Sequence, residues 1–218
     1  MFVLLFTYVF GGAIHIPGIT YINYLLPGIM VQAVIFGAIQ TGVGLADDFS
    51  RGMIDRFRSL PMARSAVLMG RTLADVVRNI FVVFLMSGVG AIVGFRFQID
   101  AISFLTALAL AVLFGFAFSW ISATIGLLVK NTETAQVAGF VWVFPLVFTS
   151  SIFVPIATMP SWLQSFAKIS PITVTVDAIR AYILGGAPGI PLLHSLAWIF
   201  GILFVFIPLA VHLYRRNY

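Results

Sequence analysis

Asp47–Arg71 reads DDFSRGMIDRFRSLPMARSAVLMGR, and it is the one charged island in a chain otherwise suited to lipid. Five of the 12 Lys/Arg residues lie in it: Arg51, Arg56, Arg58, Arg64 and Arg71. Across all 218 residues, 61% are hydrophobic and only 9% charged. Little water-facing surface remains for soluble chemistry. Any work done outside the bilayer therefore falls to this island.

Apolar runs flank the island on both sides, and a mean hydropathy of +1.10 places the chain in the membrane class. Five complete spans are predicted, over 24–46, 73–95, 101–129, 135–154 and 192–214. Each must be helical, because lipid offers no partner to an unpaired backbone amide. The run 101–129 makes a helix of about 43 Å, so it must tilt or project from the hydrocarbon. Residues 1–14 are apolar from the start but reach only about 21 Å. They read as the outer part of a first span whose beginning is missing, without the basic leader of a signal peptide. The expectation is an all-α integral membrane protein, one domain over 1–218 built as a six-span helical bundle.

With the island on the cytoplasmic side, Arg78, Lys130, Arg215 and Arg216 join its five arginines, leaving Arg96, Lys168 and Arg180 outside. That asymmetry puts the C-terminus inside, and with six spans the complete N-terminus too. The net charge of +5 is accounted for by these loop residues, not by nucleic-acid binding. The chain has no cysteine, and His15, His194 and His212 are far apart, so the sequence offers no metal site.

Within the island, residues 48–60 read as an amphipathic helix. Phe49, Met53, Phe57 and Leu60 fall on one face, with Arg51, Asp55 and Arg58 opposite. Arg51–Asp55 and Asp55–Arg58 are spaced to pair. The helix breaks at Ser59-Leu60-Pro61, and Pro61 opens a new one over 62–71 that leads back into the membrane. The apolar face suits either a lipid surface or a groove on a partner.

Asp48, Arg51-Gly52, Asp55-Arg56, Arg58-Ser59-Leu60-Pro61, Arg64 and Leu68-Met69-Gly70-Arg71 resemble the loop between the second and third spans of type 2 ABC exporter permeases, in the daunorubicin-resistance branch. Asp48 stands where many relatives carry Glu. A second block is similar to the outer loop of that branch: Pro155, Met159-Pro160, Trp162-Leu163-Gln164, Pro171, Thr173, Ala178, Arg180 and Gly185-Gly186. There Ser170 replaces the usual Asn, and either residue can cap a helix.

The resemblance implies an ATP-driven exporter in the bacterial cell membrane, with this chain forming the pathway. Phe49, Arg51, Met53, Asp55, Arg56, Phe57, Arg58, Leu60 and Pro61 become the candidates for docking on the ATPase subunit. No G-x-x-x-x-G-K-[ST] phosphate loop is found in these residues. The chain itself thus carries no cofactor. ATP-Mg would be held by two copies of a separate ATPase, and a second permease copy, identical or homologous, would complete the transporter.

Residues 154–191 are too apolar for a solvated loop. Pro160 and Pro171 mark two short helices, 160–169 and 171–184, with Ser170 as a cap and Gly185-Gly186 as a stop. The pair reads as a re-entrant element before the last span, packed on the bundle either as an outer gate or as a plain lid. Pro160, Trp162, Pro171, Asp177 and Arg180 are its marked residues, the last two spaced as an ion pair. Inside the membrane, Gln32, Phe36 and Gln40 share one stripe of the second span, and Phe140, Phe144 and Phe148 one stripe of the fifth, beside Pro145. Each stripe serves either helix packing or a substrate route; the resemblance places both spans at a central cavity. Gly115, Ser119, Ser122 and Gly126, and likewise Ser87, Gly90 and Gly94, are expected to pack helices closely. Asp75 and Arg78, at i, i+3 near the inner end of the third span, are spaced to pair with each other or with headgroups.

The leading reading is export of hydrophobic drugs, antibiotics or lipid-like molecules. Lipid-linked glycans or other polar conjugates are the alternative cargo. A non-transporting membrane scaffold, and an enzyme acting on lipids, are the readings from other classes.

Overall fold

The two runs that flank the island fold as helices of 30 residues each, α2 (Tyr21–Ser50) and α3 (Arg64–Val93). They belong to a computed structural model that describes residues 2–12, 16, 18–51, 64–95, 100–129 and 131–216. Ahead of α2 lies a short helix, α1 (Phe2–Leu5), continued by a π-helical turn over Phe6–Phe10. After α3 come α4 (Ala101–Val129), α5 (Thr132–Phe148), α6 (Ser161–Ile169), α7 (Pro171–Ile183) and α8 (Gly189–Arg216). The described residues are thus helical with no strand. Among the described residues, four helices are long and apolar enough to cross a membrane: α2, residues 68–93 of α3, α4 and α8. α5 is apolar but shorter. The chain is a membrane helical protein.

α2 occupies the centre. It packs against α3, α4, α5 and α7, and is buried along most of its length. A helix enclosed on all sides needs no polar face, which explains a run such as Leu25-Leu26 and Ile29-Met30-Val31 that is apolar all round. α3 and α8 lie at the periphery with apolar side chains facing out; Phe81 is 67% exposed and Phe204 83%. Such a surface is stable only against lipid or a second membrane protein.

Small residues set the closest approach. A Cβ on Gly126 of α4 would strike the Gly42 backbone carbonyl of α2, and one on Gly42 would strike the carbonyl of Ser122. Ser119 and Ser122 are buried in the same contact, so the expected seam on the fourth span is present. The third-span seam holds only in part. Gly90 faces Leu26, but Gly94 has φ 103° and ends α3, with Phe95 N donating to Gly90 O at 2.9 Å.

Among the boundaries that differ from hydropathy, three bear on the packing described below. α5 begins at Thr132, because Asn131 Oδ1 accepts from the amides of Glu133 (2.9 Å) and Thr134 (3.2 Å) and fixes its first turn. α5 then stops at Phe148, one turn after Pro145, so 149–154 are not helical although the apolar run continues. α2 extends to Ser50, which makes Asp48, Phe49 and Ser50 part of the span and not the start of a separate helix.

The two short helices expected before the last span are present but unequal. α7 is buried along most of its length, whereas α6 buries only Ala167. Pro171 takes the first position of α7; Pro160 sits one place earlier than expected, outside α6. Ser170 makes no cap bond with its side chain, which is buried without a partner among the described residues. Gly185, at φ 76°, is the expected stop, with Gly186 N donating to Ala181 O at 2.8 Å.

Candidate functional site

The island joins α2 to α3, and these two helices meet through polar side chains. Gly37, Thr41, Gly44 and Asp48 recur at spacings of four, three and four on α2, and Arg71, Asp75 and Arg78 at four and three on α3. Each set forms one stripe of its helix. Arg71 Nη1 pairs with Asp48, and its guanidinium lies against Gly44. Thr41 Oγ1 donates to the Asp75 carboxylate, which also pairs with Arg78 at 2.7 Å. Arg78 Nη2 in turn donates to Gly37 O at 2.6 Å. From Arg71 to Arg78 the ladder runs about 10 Å along α3. Ionised groups within membrane helices are tolerated when paired in this way.

Sequence reading anticipated only the Asp75–Arg78 pair. The rest was visible as two matching spacings on adjacent spans. Thr41→Val keeps the shape and removes the hydroxyl donor to Asp75. It is expected to cost about 1.5 kcal/mol, read as a lower melting temperature of the detergent-solubilised protein. An unchanged melting temperature would show that the ladder does not hold the two helices.

Of the docking candidates, Phe49 and Arg51 are described; Met53, Asp55, Arg56, Phe57, Arg58, Leu60 and Pro61 lie outside the described residues. Phe49 meets Tyr214 of α8 edge-on, ring centroids 6.5 Å apart, in a small core with Leu45, Leu68, Trp120 and Leu127. It therefore braces the base of the bundle. Arg51 is exposed and pairs back with Asp47 at 2.9 Å.

The pathway candidates separate. Phe36 of α2 meets Phe140 at 5.9 Å and Phe144 at 6.0 Å between centroids. Phe144 stacks on Phe148 at 5.0 Å, Phe148 on Phe153 at 5.3 Å, and Phe153 on Phe6 at 4.7 Å. The result is a continuous aromatic column along α2 and α5, with Phe144 and Phe148 about half exposed. Gln32 is buried, and its Oε1 accepts from no described residue, whereas Gln40 is exposed. The two amides do not share an environment.

In the segment before the last span, Trp162 is 74% exposed and points away from the core. Asp177 and Arg180 form the expected pair at 2.9 Å, but Arg180 does more. It is buried, and its guanidinium donates to Tyr24 O (2.9 Å), Ser151 O (2.6 Å), Ser151 Oγ (3.1 Å) and Ile152 O (3.3 Å) while lying 3.5 Å over the Tyr24 ring. Tyr24 Oη donates to Ser151 O at 2.8 Å, and Tyr21 Oη to Phe153 O at 3.3 Å. These side chains supply donors to the carbonyls that α5 leaves free when it ends early. A buried break in a span is stable only when such groups find partners.

The sequence profile of the ABC-2 type transporter family matches residues 1–184. The chain is 35% identical, over its whole length and 77% of the relative's, to the daunorubicin resistance ABC transporter permease protein DrrB1 of Streptomyces coeruleorubidus. It is 30% identical, over 88% of its length and 69% of the relative's, to the probable doxorubicin resistance ABC transporter permease protein DrrC of Mycobacterium tuberculosis. The putative transport permease ycf38 of Cyanophora paradoxa is 26% identical over 73% of the chain and 55% of its own length. A central buried helix, polar pairing beside the island and this profile match converge: the chain belongs to the ABC-2 type transporter family.

Proposed function

We propose that the chain is the transmembrane permease subunit of an ATP-driven exporter that carries hydrophobic drugs, antibiotics or lipid-like molecules out of a bacterial cell. The full-length 35% identity to a daunorubicin resistance permease carries this reading. On it the protein is a transport subunit and not an enzyme. Two copies of a separate ATPase hydrolyse ATP, and a second permease, identical or not, faces this one. The positive-inside count would put the C-terminus in the cytoplasm, and a six-span topology would put the N-terminus there too.

Phe49, Arg51, Met53, Asp55, Arg56, Phe57, Arg58, Leu60 and Pro61 would bear on the ATPase, so that its closure moves the α2–α3 pair as one body through the Asp48–Arg71, Thr41–Asp75 and Arg78–Gly37 O contacts. The aromatic column of Phe36, Phe140, Phe144 and Phe148 would face the second permease and offer stacking surface to planar apolar cargo. A column with so little polar surface favours lipophilic cargo over a glycan conjugate. Pro160, Trp162, Pro171, Asp177 and Arg180 would belong to the outer gate.

Phe57→Asp with Leu60→Asp is expected to abolish copurification with the ATPase while membrane insertion persists. Recovery of an intact complex would count against the docking assignment. In the wild-type complex, ATP turnover should respond to daunorubicin-like compounds; a scaffold would bind the ATPase without that response. Uphill transport by the permease alone, without nucleotide, would overturn the reading altogether.

A further inference from the structure

A pocket of about 320 Å³ lies between α6, α7 and α8, away from the island and the aromatic column. Lys168 and Ile169 line it from the end of α6, Val174 from α7, and His194, Ala197 and Trp198 from α8. The last three, at i, i+3 and i+4, present one face of their helix. Trp198 Nε1 donates to Ile169 O at 3.1 Å and holds α8 against the end of α6. Lys168 and His194 are exposed and bond to no other described residue. None of the described lining residues is acidic. The pocket therefore has a basic, donor-bearing rim over an apolar floor.

Its depth follows from α8. His194 and Arg215 are 21 positions apart on that helix, about 32 Å along it, which matches the roughly 30 Å hydrocarbon core. With Arg215 and Arg216 in one headgroup layer, His194 stands in the other. Trp198 sits a turn deeper, where indole rings collect at membrane interfaces.

We propose that this pocket binds an anionic phospholipid in the leaflet opposite the C-terminus. Lys168 Nζ and a ring N–H of His194 donate to the phosphodiester oxygens, and an acyl chain runs over Val174, Ala197 and Trp198. A basic rim repels the ammonium group of a zwitterionic headgroup, so lipids without one are preferred. The bound lipid then tethers α6, which buries little of its own surface, to the last span. The site depends on the chain crossing the membrane but not on how the island docks.

The test is native mass spectrometry of the permease with its ATPase partner, released from nanodiscs of phosphatidylcholine doped with phosphatidylglycerol. One phosphatidylglycerol per permease is expected to stay bound above the phosphatidylcholine background. Lys168→Gln with His194→Gln should cut that retention about five-fold or more. Ala197→Phe, which fills the acyl floor and leaves both donors in place, should do the same. Excess inorganic phosphate should displace nothing. Unchanged retention in both variants would overturn the proposal, as would equal retention of phosphatidylcholine. Displacement by inorganic phosphate would also overturn it, marking a free-anion site instead. Loss of the ATPase from the preparation bears on the docking assignment alone, since the lipid count is read on the permease itself.

Discussion

Arg180→Ala is expected to lower the melting temperature of the purified protein by on the order of 10 °C. The guanidinium supplies hydrogen bonds to Tyr24 O, Ser151 O and Ile152 O, and a charge to Asp177. Truncation removes all of them; Ser151 O keeps only Tyr24 Oη, and Ile152 O loses the donor that Arg180 gives it. Removing one partner from a buried charged network costs about 3–5 kcal/mol, and each kcal/mol moves the melting point of a chain this size by about 2–4 °C. Arg180→Lys should fall between Ala and wild type, because one ammonium cannot reproduce the planar fork that reaches several acceptors. Tyr24→Phe, which removes only the bond to Ser151 O, should cost about 1 kcal/mol. An Arg180→Ala protein that melts within two or three degrees of wild type would show that the break after α5 is held by something else.

Gly126→Ala is expected to destabilise the bundle by about 1–3 kcal/mol, through overpacking alone. The added Cβ meets the Gly42 backbone carbonyl, which cannot rotate aside as a side chain could. α2 and α4 must separate, and their interface lies at the centre of the bundle. Gly42→Ala pushes against Ser122 O in the same contact, so the double variant should cost less than the two singles combined. Gly201→Ala on α8 provides the contrast. Nothing lies within 4 Å of its added Cβ, and the alanine should be neutral or mildly stabilising. Thermal unfolding of all four proteins in one detergent decides it. Equal melting temperatures for Gly126→Ala and Gly201→Ala would remove the close approach as a stabilising feature.

How much of this was legible in the sequence depended on how local each cause is. The helix over 101–129 was readable because it coincides with the apolar run. The seam of Gly115, Ser119, Ser122 and Gly126 was readable from spacing on one helix, although Gly42 as its partner was not. The helix of the fifth apolar run, 132–148, departs from the expected 135–154 at both ends, for opposite reasons. Its start depends on Asn131, whose capping bonds precede the apolar run, and its end on carbonyls that Arg180 satisfies from 28 and 29 residues away. Hydropathy sees neither. Gly94 was read as a packing residue because small residues look alike in sequence; its positive φ is a property of the turn. Gln32 and Gln40 share a stripe, yet only Gln32 is buried, since which neighbours cover a stripe is decided by distant helices. In the candidate site, Asp75–Arg78 was legible as an i, i+3 pair on one helix. Thr41, Asp48 and Arg71 required knowing that α2 and α3 lie side by side.

The ladder between α2 and α3 also bears on how the protein is made. Asp75 and Arg78 find Thr41 and Gly37 O on the preceding helix, while Asp48 finds Arg71 on the following one. Asp75 and Arg78 also neutralise each other within α3, but Asp48 of α2 meets Arg71 only once α3 has arrived. Insertion of the two helices together, as a hairpin, therefore spares Asp48 an interval in which it lacks its counter-ion.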